Sequence, residues 1–128
     1  MTWQEGSEQY EIRGEVSVEY ALARHTLVEN FKRGRISRGE ICDAHPELLR
    51  AGSAVGAARE DPCPVCASLS LVSVFYAFGP KLPAHGKCIA SAAEVAKVAS
   101  IAHDAHVYQV EVCLSCHWNH LLRVTSLG

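Results

Sequence analysis

Two cysteine pairs, Cys63-Pro64-Val65-Cys66 and Cys113-Leu114-Ser115-Cys116, dictate more about this chain than anything else in it. Two thiolates three positions apart on a tight turn can reach one cation at about 2.3 Å, and a second such knuckle completes a tetrahedral shell of four sulfurs. Residues 67–112 must then fold back to bring the pairs together. Four sulfurs leave no position open for water, so the spacing predicts one structural Zn2+ held by Cys63, Cys66, Cys113 and Cys116. The competing readings are a redox dithiol and cysteines buried as small apolar residues. A redox C-x-x-C opens a helix in a thioredoxin-like unit, whereas here the first pair precedes a strand-like run and the second joins two.

Compartment matters for six cysteines in 128 residues, because reducing surroundings disfavour structural disulfides. The opening Met1-Thr2-Trp3-Gln4-Glu5-Gly6 has acid where a secretory leader has base and then an apolar run, so a cytoplasmic address is expected. The longest apolar stretch, residues 69–78, is too short to cross a bilayer.

Residues 1–15 carry Glu5, Glu8, Glu11 and Glu15 against Arg13, without a sustained apolar period, which predicts an acidic flexible tail. Over residues 16–33, Tyr20, Leu27 and Phe31 fall on one helical face, and Gly34 is placed to end the helix. Ser37 and Glu40 form a capping-box pair that predicts a short helix, and Pro46 predicts a restart through Arg50. Residues 16–60 are therefore expected as a helical segment, closed by an Ala- and Gly-rich connector at 51–61. Residues 61–128 are expected as a three-stranded antiparallel zinc ribbon, with strands near 69–78, 106–112 and 121–125 and a helix inserted at about 90–104. The fold class is α+β.

With 12 Lys and Arg against 14 Asp and Glu, the formal charge of −2 supplies no whole-chain field to attract nucleic acid, so such contact must be local. Its candidate is the basic turn Lys32, Arg33, Arg35 and Arg38, at a helix end just before the amides of the next helix. The plainer reading is a solvated turn whose cations complement the helix dipole. Cys42 with His45, and His85 with Cys88, have spacings that permit a second metal, against ordinary core and surface roles for each. His103, His106, His117 and His120 suggest a hydrolytic metal only weakly, since Asp104 is the one acid among them and no H-E-x-x-H, G-x-S-x-G, Walker or dinucleotide motif is present. Trp118 and His120 either offer bases a stacking surface or pack against their own ribbon.

Three segments, Gly34 to Ala51, Pro62-Cys63-Pro64-Val65-Cys66, and Glu111 to Leu121 with the second knuckle, resemble a family of small actinobacterial proteins of unknown function with a zinc-ribbon-like half. The resemblance runs from about Ala23 to the C-terminus, with Ala67 standing where such knuckles place glycine. It implies a bacterial cytosolic protein without known enzyme activity. The expectation is thus a non-enzymatic structural-zinc protein, an accessory factor docking on the ribosome and its rRNA or on RNA polymerase. A protein–protein adaptor without nucleic-acid contact is the alternative, which the near-neutral charge favours, and a zinc hydrolase stands third. Neither a membrane nor a small-molecule substrate is expected.

Overall fold

The computed structural model describes residues 16–101 and 104–127. The expected acidic tail at 1–15 and His103 lie outside them. In chain order the elements are β1 (Val16–Glu19), α1 (Ala21–Lys32), α2 (Arg38–Ile41), α3 (Pro46–Val55), β2 (Ala57–Ala58), β3 (Leu71–Phe78), β4 (Lys87–Ile89), α4 (Ala92–Ile101), β5 (His106–Cys113) and β6 (Asn119–Ser126). The class is α+β, and among the described residues no helix is long and apolar enough to cross a membrane.

The strands expected from sequence are β3, β5 and β6, which lie side by side and antiparallel at the centre of the sheet. That sheet has six strands rather than three, in the order β1-β6-β5-β3-β2, with β4 also paired to β3. The extra strands are four, two and three residues long, too short to display an alternating pattern. Val16–Glu19, expected as the start of a helix, pairs instead with β6 from Val16↔Ser126 to Glu19↔Arg123. Val18 is β-branched and suits the pleat, and the helix begins only at Ala21.

The helix ends follow the sequence signals. Gly34 takes φ +74°. Its amide bonds to Phe31 O and that of Arg35 to Asn30 O, the paired bonds that close a helix when a glycine turns left-handed. Ser37 and Glu40 exchange both capping-box hydrogen bonds at the start of α2. His45 caps α3, its Nδ1 accepting from the Glu47 amide at 3.0 Å, with Pro46 at the first position.

β3 is covered on both faces. On the face carrying Leu71, Ser73, Phe75 and Ala77 sit two apolar clusters. In one, α4 sets Val95 and Val98 against Phe75, Ala77, Ile89 and Val107. In the other, Val28 of α1 and Ile41 of α2 meet Leu71, Cys63, Cys113 and Trp118. Buried Ser73 and Glu111 separate them as a polar belt. The opposite face takes α3, where Gly52 is buried against Val72, Val112 and Leu114. At Gly56 a Cβ would come within 2.3 Å of Gly52 O and 2.7 Å of Val72 Cγ2. The Ala- and Gly-rich stretch expected as a connector is therefore the close-packed end of α3 followed by β2. Small residues imitate a linker in composition while serving the approach of a helix to a sheet.

Candidate metal centre

Strand register decides how the two cysteine turns meet. Leu71 pairs with Cys113, so the turn before β3 and the turn between β5 and β6 lie at one end of the sheet. Both are built alike. The amide of Ala67 donates to Cys63 O and that of His117 to Cys113 O, each at 2.9 Å. The Cys63 and Cys113 amides return bonds to Ser68 O and Trp118 O at 2.9 and 2.8 Å. The residue after each second cysteine, Ala67 or His117, takes a left-handed φ of 64° or 74°.

The four sulfurs lie within 4.8 Å of one another. Cys63 and Cys116 are 3.6 Å apart, as are Cys66 and Cys113. A tetrahedron of sulfurs about 2.3 Å from a zinc ion has edges of about 3.8 Å, whereas a disulfide would need about 2.05 Å. The four free thiols thus fit a metal ion such as zinc. The Val65 amide points at Cys63 Sγ from 3.4 Å and the Cys116 amide at Cys113 Sγ from 3.5 Å, dipoles that favour charged sulfur. Burial pushes the Cys63 and Cys116 thiols above their ordinary value. Burial also pushes Cys66 up, but hydrogen bonds from Ser68 and from the neighbouring cysteines outweigh it and bring that thiol down to about 6. Crowded thiols of this kind favour a cation that replaces their protons.

Beneath the knuckles lies a feature that sequence reasoning missed. Trp118, fully buried, donates from Nε1 to Glu111 Oε2 at 2.7 Å. Glu111 is itself fully buried and also takes Arg24 Nε at 2.6 Å, with Arg59 Nε 3.5 Å from its other oxygen. The carboxylate ties α1, the segment after β2 and the second knuckle to the sheet. One sequence signal was available: Glu111 stands two positions before Cys113 in an alternating strand, on the cysteine's own face.

Ala67 carries a side chain where the turn asks for none. Left-handed backbone costs a residue with a Cβ about 1–2 kcal/mol, part of which glycine returns through its larger unfolded-state entropy. Ala67→Gly is expected to gain about 0.5–1 kcal/mol, read as a rise of a few degrees in Tm with metal content unchanged.

The remaining candidate residues scatter. Cys42, His45, His85 and Cys88 do not assemble into a second metal site. Cys42 packs against the cluster around the knuckles and interacts with Cys116. His45, His85 and Cys88 line a separate cavity of about 650 Å³ beside α3. Among the described residues no second group of three such ligands comes within mutual reach. Equal spacing had placed these residues in pairs, but Cys42 turns to the knuckle cluster while His45 faces the cavity shared with His85 and Cys88. His106 is exposed and bonded to Ser126, and His117 is exposed, so no hydrolytic cluster forms among the described histidines. Trp118 stacks on His120 with ring centres 5.8 Å apart, inside the fold rather than as a platform for bases. Lys32, Arg33, Arg35 and Arg38 are all exposed.

A model of a family of unknown function, DUF5318, matches residues 12–128. The chain is 36% identical over 111 residues to the uncharacterized protein Mb0050 of Mycobacterium bovis, covering 87% of this chain and 81% of that one. The uncharacterized proteins MT0055 and Rv0049 of Mycobacterium tuberculosis match with the same identity and coverage. No solved structure matches significantly.

Proposed function

We propose that this chain, which belongs to the DUF5318 family of unknown function, is a non-enzymatic structural-zinc protein of the cytoplasm that works by docking on the ribosome or on RNA polymerase. The observation that carries the reading is the four-sulfur arrangement within 4.8 Å. A catalytic zinc keeps one position for water, and a shell of Cys63, Cys66, Cys113 and Cys116 has none. The zinc then holds two turns and the helices packed on them in one geometry.

The surface offered for docking is the basic turn. Lys32, Arg33, Arg35 and Arg38 point to solvent, while Ile36 among them packs into the apolar cluster that contains Trp118 and the knuckle cysteines. Among the described residues the only ion pair of these cations joins Lys32 to Glu29, at 3.7 Å. Metal binding would thereby fix the position of a cationic loop free to meet phosphates.

The test is binding to ribosomal RNA between about 50 and 200 mM salt. Phosphate contact lowers log K by about 0.7–0.9 per contact for each log unit of salt, and Arg33→Ala with Arg35→Ala should flatten that slope while metal content stays constant. A flat slope in the unaltered protein would instead favour the adaptor reading, which the net charge of −2 and the exposed Leu22 and Leu69 support. Metal-edge spectroscopy should find four sulfurs. A nitrogen or oxygen ligand would revive the hydrolase.

A further inference from the structure

A cavity of about 300 Å³, apart from the metal centre and the basic turn, gathers Arg24 of α1, Arg59 after β2 and Arg123 of β6, with Gln109 beside them and Glu19 and Asp61 also on its wall. These guanidiniums are largely withdrawn from water, their side chains being 27%, 17% and 34% exposed. Each has a carboxylate beside its Nε, and the Nε of Arg24 donates a hydrogen bond to it while those of Arg59 and Arg123 form ion pairs without one. Arg24 Nε bonds to Glu111 and Arg123 Nε pairs with Glu19, both at 2.6 Å, and Arg59 Nε lies 3.5 Å from Glu111. Arg59 also spends its terminal nitrogens, on Ser73 at 3.2 Å and Asp61 at 3.6 Å. Among the described residues nothing takes the terminal nitrogens of Arg24 or Arg123.

We propose that this cavity binds a small phosphate, either inorganic phosphate or the head of a phosphomonoester. Carboxylates that grip Nε orient a guanidinium and leave its fork aimed outward, an arrangement that preorganises oxyanion recognition. Two open forks, those of Arg24 and Arg123, arriving from α1 and β6 with the Arg59 charge beside them, suit a tetrahedral group with several terminal oxygens better than a planar carboxylate, which one fork satisfies. The volume accommodates such a head with room left for water or for the small organic part of a monoester. Glu111 neutralises part of the charge and cannot leave, being fully buried. Glu19 and Asp61 are 54% and 71% exposed and can turn to water as the anion enters. Binding is therefore modest, and its strength is set by those two acids.

Trp118 reports on the site, because its Nε1 bonds to the same Glu111 oxygen as Arg24. In the full chain with Trp3→Phe, inorganic phosphate is expected to change the remaining tryptophan emission saturably, with half-saturation at or below about 10 mM, and potassium chloride of equal ionic strength should not. Arg123→Gln should weaken binding about tenfold or more, and Glu19→Gln should tighten it several-fold by removing a competing charge. Calorimetry provides a second reading for each variant. Tighter binding of glycerol phosphate than of inorganic phosphate identifies a monoester as the ligand, and the reverse identifies free phosphate. An absent or chloride-matched response overturns the proposal. So does acetate binding as well as phosphate, or an unaltered affinity in Arg123→Gln.

Discussion

Cys113→Ser is expected to abolish stoichiometric metal binding and, with it, cooperative unfolding of the chain. Cys113 is fully buried, closes β5 and sits 3.6 Å from the Cys66 sulfur. Structural zinc contributes an apparent 10–16 kcal/mol at neutral pH in finger peptides, against a total stability of about 5–15 kcal/mol for an ordinary domain. Leu71, Trp118, Val28 and Ile41 are buried around these cysteines, with Leu27, Phe31 and Ile36 packed on them, so this whole apolar cluster is organised about the ion the thiols would hold. Metal analysis and thermal unfolding of the purified variant check the expectation, and a strong chelator should reproduce the effect in the unaltered protein. The pH dependence has a definite sign. Burial raises the Cys63 and Cys116 thiols, so protons compete with the ion, and metal affinity should strengthen as pH rises and weaken as it falls. A variant without metal that still melts cooperatively at the original temperature would refute the structural role.

The second large effect is expected at Glu111, which lies outside the group of four cysteines that could hold a metal. Glu111→Ala leaves the guanidiniums of Arg24 and Arg59 and the Trp118 indole N–H without their acceptor in a buried setting. Removing one partner of a buried ion pair costs about 3–5 kcal/mol. For a chain of this size the loss corresponds to a fall of about 10–20 °C in Tm. Glu111→Gln keeps the volume and an acceptor for the indole, so it should lose less than the alanine variant. Equal losses in the two would mean that the charge, rather than packing volume or the bond to the indole, is what Glu111 contributes.

These two residues differ in how they could be found. Cys113 announces itself, because a C-x-x-C pair repeated at the edge of two strand-like runs has few other physical uses. Glu111 does not, because an acid in an alternating strand looks like a residue facing water. Its inward direction follows from the register of β5 against β3, where it lies opposite Ser73 and on the side of Cys113. Its partners come from residues 24 and 59, far away in sequence. Local pattern carries no information about such a meeting.

The same division holds for the fold. Caps at Gly34, Ser37 and Pro46, the three central strands and the inserted helix were legible because each rests on interactions within a few residues. The short strands β1, β2 and β4 were not, since they are held by their neighbours rather than by their own pattern. Gly52 and Gly56 were misread for a related reason. Their role is to let α3 approach Val72 and Val112, and a glycine's composition is the same in a linker and in a close contact.

By itself, then, the order of residues determined which four cysteines could hold a metal and the local segments that carry them. Thiol chemistry and backbone caps act over three or four positions and leave their mark in spacing. Only the tertiary structure decided that Cys42 belongs beside Cys116 rather than with His45, His85 and Cys88, and that three arginines share one cavity. Those outcomes depend on which strands pair and which face a side chain takes, and a single-residue change of register would reverse them.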